Sequence, residues 1–134
     1  MSCRFTELVI DCVDPFLVAD FWKQVLGYEV VEQEDDAIAL AGPPGSGPVL
    51  VFGTVPEAKA IKNRIHLDVN ATDHDQAAEL ERLLALGARP VDVGQTGDES
   101  WHVLADPEGN EFCLLRRTVD PDAPVPLASP IFPS

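Results

Sequence analysis

The chain has 134 residues, 46% hydrophobic and 24% charged, the make-up of one ordinary globular domain with a sizeable core. A formal net charge of −14 argues against nucleic acid or an anionic membrane surface as a partner. Apolar runs as short as Val49–Phe52 cannot span a bilayer, Met1–Arg4 leads into a strand pattern without a signal-peptide apolar region, and three cysteines without a CxxC spacing predict reduced thiols in a cytoplasm.

In chain order, Arg4–Val13 reads as a strand, with Leu8, Ile10 and Cys12 on one face and Glu7, Val9 and Asp11 on the other. Asp14-Pro15 is an N-cap followed by proline at the first helical position, and the helix through Phe16–Leu26 stops at Gly27. Strands follow at Tyr28–Gln33, Ala37–Leu40 and Val49–Thr54, with a Gly- and Pro-rich mobile loop expected over Gly42–Pro48. Val55–Lys62 reads as a linker.

The order then restarts. Arg64–Asn70 alternates without a break, Ile65, Leu67 and Val69 on one side against Arg64, His66 and Asp68 on the other. Asp73 and Gln76 suggest a capping box ahead of a helix over Ala77–Leu86 that ends at Gly87. Strands are expected at Arg89–Val93, Ser100–Ala105 and Glu111–Arg117, the last two joined by the turn Asp106–Asn110. Each half is strand, helix, three strands, so the chain carries an internal duplication. This predicts an α+β fold of two tandem βαβββ modules, about 4–54 and 63–117, inside a single domain of residues 1–117. Residues 118–134, with Pro121, Pro124, Pro126, Pro130 and Pro133, are expected to be an extended or disordered tail; Val125, Leu127, Ile131 and Phe132 suggest that part of it packs on the domain or on a second subunit.

If a helix covers one face of each sheet, the apolar alternants point at it. The opposite faces then present Glu7, Val9 and Asp11, next Arg64, His66 and Asp68, and finally Glu111, Cys113 and Leu115. Trp101 and His102 fall on opposite faces, so one of them enters any pocket there, and an aromatic wall suits a flat ligand. His66 beside Asp68 fits a general acid or base as well as a hydrogen-bonded structural histidine. Nothing marks Cys113 as activated. His74 reads as an exposed residue, Trp22 as core, with core also the alternative for Trp101, and Asp106 and Asn110 as turn chemistry.

Asp14–Gly27 (DPFLVADFWKQVLG), the Asp106–Phe112 turn and the Asn63–Val69 block, preceded by Val55-Pro56-Glu57, together resemble the vicinal oxygen chelate superfamily and its glyoxalase-like subgroup. That superfamily includes glyoxalase I, bleomycin-resistance proteins and extradiol dioxygenases, and the resemblance covers about residues 4–117. It implies curled mixed sheets around a cup-shaped cavity, and a homodimer. Metal-dependent members carry His, Gln or Glu on the first and last strands of each half. The matching positions here are Glu7, Arg64 and Cys113, and Val49–Thr54 offers no strong ligand. A guanidinium cannot bind a cation, so no metal cofactor is expected; a Glu7–Arg64 ion pair would instead orient a carboxylate or phosphate on a ligand. A relocated divalent site built from Asp11, His66, Asp68 and Cys113 is the alternative.

The expected protein is thus cytoplasmic and binds a small organic molecule through Glu7, Asp11, Arg64, His66, Asp68, Trp101, Glu111 and Cys113. It either sequesters that molecule or acts on it without metal. The rivals are a metal-dependent lyase, isomerase or dioxygenase with relocated ligands, and an interaction module with a degenerate cavity.

Overall fold

A computed structural model describes residues 1–124. Its elements are β1 (Glu7–Cys12), α1 (Pro15–Leu26), β2 (Glu29–Gln33), β3 (Ala37–Ala41), β4 (Val49–Thr54), β5 (Leu67–Val69), α2 (Gln76–Leu86), β6 (Arg89–Pro90), β7 (His102–Ala105) and β8 (Glu111–Leu114). Hydrogen bonding sorts the strands into two four-stranded sheets, β1-β4-β3-β2 and β5-β8-β7-β6. In each, the first and last strands of the half pair in parallel and the rest antiparallel. The fold is therefore α+β, with the two tandem βαβββ modules that the sequence predicts. The chain divides into compact units at Ala60/Ile61.

In the first module Asp14 Oδ1 accepts the Leu17 amide at 3.2 Å, Pro15 opens the helix, and Gly27 closes it at φ 68°. That left-handed conformation suits glycine, which has no Cβ to clash. Val18, Ala19, Phe21 and Trp22 of α1 are buried, as are Leu50 and Phe52 of β4 and Ile38 and Leu40 of β3. Leu8, Ile10 and Cys12 share their face, because β1 and β4 pair Leu8 with Leu50 and Ile10 with Phe52. Glu7, Val9 and Asp11 point the other way and are exposed. The loop expected to be mobile is closed by a turn, Ser46 N to Pro43 O at 3.0 Å, and held by the Tyr28 hydroxyl on Ser46 O at 3.2 Å.

The second module departs from the sequence expectation in four places. Strand β5 covers only Leu67–Val69, and Ile65, expected inside, is 73% exposed. Leu67 pairs with Phe112, so continuing the register would set Ile65 against Asn110, where the neighbouring chain has already turned away. β6 stops at Pro90, which has no amide to give, and one further bond, Val91 N to Val103 O, follows it. β7 and β8 are shorter than expected, although Leu115 N still donates to Val69 O. Finally, the N-cap of α2 is Asp75, which accepts Ala78 N at 2.9 Å; Asp73 does not cap it. Gln76 is the first helical residue, and its amide donates to Ser100 O and Leu114 O.

Phe112, Leu114, Leu104 and Leu83 form the buried centre of this module. The tail begins docked on it: Val119 N donates to Ala71 O at 2.9 Å and Thr118 Oγ1 to His74 O at 2.8 Å. The expected packing of Val125, Leu127, Ile131 and Phe132, with Pro126, Pro130 and Pro133, lies outside the described residues. No described helix is long and apolar enough to cross a membrane.

Candidate functional site

The open face of the second sheet is where chemistry gathers. Register places Asp68 beside Cys113 and Cys113 beside Val103, so all three project to the side away from Phe112 and Leu114. His66 lies two residues before Asp68, and its Nε2 sits 3.2 Å from Asp68 Oδ1. Trp101 lies two residues before Val103 and, unlike His102, lines the cavity, so it is the member of that pair that enters. Lys62, Glu111 and the loop from Val93 to Glu99 complete a cavity of about 280 Å³.

Three of the polar side chains around it, Glu111, Gln95 and Glu99, hydrogen-bond to backbone groups nearby. Glu111 Oε2 accepts Asn63 N at 3.2 Å, tying the segment ahead of β5 to β8. Gln95 bridges the loop, accepting Val93 N at 2.7 Å and donating to Val91 O at 2.9 Å. Glu99 accepts the amides of Thr96 and Gly97 at 2.8 and 2.9 Å, and these bonds lower its pKa. Burial, reinforced by the Asp68 carboxylate and partly offset by Lys62, pushes the Cys113 thiol up to about 11. Left to itself such a thiol stays protonated at neutral pH and is a poor nucleophile.

The structure thus brings His66, Asp68, Trp101, Glu111 and Cys113 together on one module. The other expected residues lie elsewhere. Glu7 lines a separate groove of about 340 Å³ on the first module, with Glu32, Ala39, Val49 and Val51. Asp11 is exposed opposite Gly53 and lines neither cavity. Arg64 is exposed and precedes β5. Sequence reasoning missed Lys62, which it read as the end of a linker, and Gln95 and Glu99, which lie beyond the strand it expected over Arg89–Val93. The spacings Asp92-x-Gly94 and Thr96…Glu99 are the signal that side chains, not a ladder, take those amides.

Among the residues that the resemblance would match to metal ligands, Arg64 carries a guanidinium, which offers a cation no lone pair.

His74, expected to be merely exposed, is half-buried between two carboxylates. Its Nε2 meets Glu79 Oε1 and its Nδ1 meets Asp73 Oδ1, both at 2.8 Å. Glu79 is 7% exposed and also accepts Arg82 Nε and Nη2 at 2.6 and 2.9 Å. The hydrogen bond to Glu79 is the main cause that raises the His74 pKa above its ordinary 6.5, while Arg82 is the main cause that lowers that of Glu79. A raised folded-state pKa means that His74 stabilises fully below the ordinary imidazole value and loses that contribution as pH rises through the folded one. The melting-temperature gap between wild type and His74→Gln should therefore be wide near about pH 5.5 and close by about pH 9. A gap independent of pH would show that the charge on His74 contributes nothing.

In solved structures, a glyoxalase/bleomycin resistance protein/dioxygenase family enzyme from Burkholderia phytofirmans PsJN superposes with a TM-score of 0.61 at 20% identity, over 81% of this chain and 94% of that one. A fosfomycin resistance protein, FosX, from Listeria monocytogenes, complexed with Mn(II) and 1S,2S-dihydroxypropylphosphonic acid, gives 0.67 at 12% identity, over 89% and 93%. The bleomycin-binding protein of Streptomyces verticillus, complexed with copper(II)-bleomycin, gives 0.55 at 17%, over 87% and 98%. At these identities the likeness is one of fold. No curated protein matches the sequence. Residues 7–115 match the glyoxalase-like domain family, and the chain belongs to it.

Proposed function

We propose that the protein binds a small organic molecule in the cavity of its second module, acting as a cytoplasmic homodimer. The observation that carries this is Trp101, half-buried in the wall of a cavity of about 280 Å³ whose other walls include His66 and Cys113. That volume is near the lower end for ligand pockets, which run from about 300 Å³ upward, so the ligand is compact. A ring or flat apolar group would lie against the indole, and a polar group would bond to His66 or Lys62. Two structural neighbours hold small organic molecules, a dihydroxypropylphosphonic acid and a bleomycin, which supports a similar use of the fold. The three cysteines are all free thiols, in keeping with a reducing compartment. Light scattering at working concentration tests the dimer.

Sequestration is the simpler outcome of binding. Catalysis without metal would rest on His66, oriented by Asp68 and exchanging a proton with the ligand. The chain has two tryptophans, and Trp22 is sealed in the core, so it serves as an internal reference. A panel of small aromatic acids, amines and thiols is expected to include compounds that change the Trp101 fluorescence saturably. Trp101→Phe should remove that change and leave the circular dichroism intact. If no compound gives a saturable signal, or if the signal survives Trp101→Phe, the cavity is not the binding site.

A further inference from the structure

We infer that the cavity of the second module takes an organic cation, a compact ammonium compound whose apolar group lies on Trp101. This rests on the cavity being the binding site and names the class of molecule that would enter it.

The sign of the charge comes from the walls. Asp68 stands beside Cys113 in the β5–β8 pairing and 3.2 Å from His66 Nε2, while Glu99 lines the cavity from the loop. The amides of Thr96 and Gly97 bond to Glu99 and hold it ionised. Against these carboxylates stands the ammonium of Lys62, whose Nζ already donates to Asn63 O at 3.1 Å. The balance is negative even without Glu111, which is engaged with Asn63 N. The stretch Asp92–Glu99 adds Asp92 and Asp98 and holds no lysine or arginine. A net charge of −14 over the whole chain draws cations toward the surface and repels anions from it.

Two features set this cavity apart from a merely acidic surface. One is Trp101, because an indole in a partly desolvated wall attracts an organic cation more strongly than the other aromatic rings do. The other is Cys113. It lines the cavity at 7% exposure, and among the described residues its Sγ has no hydrogen-bond partner, whereas the buried thiol of Cys12 donates to Ile10 O at 3.4 Å. Packing alone would account for a cysteine in a closed core; this one floors an open cavity. In the neutral ring, the Asp68 contact places the His66 proton on Nε2 and leaves Nδ1 with a lone pair. That nitrogen and the Cys113 sulfur accept hydrogen bonds from N–H donors, which an ammonium compound brings and a carboxylate does not.

The test measures binding to the full chain by calorimetry, in chelator so that no metal ion takes part, with three probes of one shape: benzylammonium, benzyl alcohol and benzoate. Expected is tighter binding of benzylammonium than of benzyl alcohol by about five-fold or more, with benzoate weakest and the preference shrinking as sodium chloride is raised. Lys62→Gln, a change at an exposed residue, should tighten benzylammonium about three-fold, and Asp68→Asn should weaken it by a similar factor. Trp101→Leu keeps an apolar wall without the ring and should weaken benzylammonium more than benzyl alcohol. Equal binding of the three probes, a preference for benzoate, or a benzylammonium affinity that neither Lys62→Gln nor Asp68→Asn changes would overturn the cation class and leave the cavity as the site. No binding of benzylammonium would also overturn it, and the cavity reading would then stand or fall separately by the wider panel of acids, amines and thiols.

Discussion

Trp22→Ala is expected to lower the stability by about 3–5 kcal/mol, the cost of emptying a large aromatic from a close-packed core. Trp22 is 2% exposed and stands edge-on to Phe21, ring centres 5.3 Å apart at 88°. Such a pair adds to simple burial. Helix α1, which carries Trp22, packs on β3 and β4, so the emptied space lies within a close-packed core. Domains of this size are stable by only about 5–15 kcal/mol, and the loss should show as a large drop in the urea midpoint followed by circular dichroism. Trp101→Ala, at a half-buried cavity wall, should cost far less. If the two substitutions prove equally damaging, the division between a structural and a binding tryptophan is wrong.

Asp106→Ala should cost about 2–4 kcal/mol, because it strands several donors in the interior. Asp106 is fully buried. Its Oδ1 accepts the amides of Glu108 and Asn110, both at 2.9 Å, and Oδ2 accepts Asn110 Nδ2 at 2.9 Å. Backbone bonds between Asp106 and Asn110 close the same turn around Gly109, whose φ of 91° only glycine adopts freely. The turn fixes the register of β8 against β7, Ala105 opposite Glu111, and so sets Cys113 beside Asp68. Asp106→Asn keeps one acceptor and should fall between wild type and alanine. The comparison is made by denaturant unfolding of the three proteins, and a negligible loss in Asp106→Ala would mean that the backbone alone holds the turn.

Much of the architecture was legible because its signals are local. Asp14-Pro15 and Gly27 bound α1 to the residue, and Val49–Thr54 is the observed β4. Where the reading slipped, a neighbour decided the outcome. Ile65 keeps the alternation of a strand, yet it has no ladder partner, since β8 begins only at Glu111. Asp73 satisfies the capping pattern, but His74 claims its carboxylate and Asp75 takes the cap. The candidate site divides in the same way. Period-two patterning puts His66 and Asp68 on one face, and the β5–β8 pairing sets Cys113 beside Asp68. Periodicity could not show that Gln95 and Glu99 fold the next loop over that face, because their hydrogen bonds break a strand and so leave no repeat to read.

Each sheet draws all its strands from one half of the chain, and this bears on how the protein is made. The first ladder closes with Val49–Thr54, so the amino-terminal half can complete its hydrogen bonding while the rest is still emerging from the ribosome. Its central pairing, β4 between β1 and β3, waits for no later segment. Vectorial synthesis therefore lets the first half form every strand pairing of its own sheet before the second half is made.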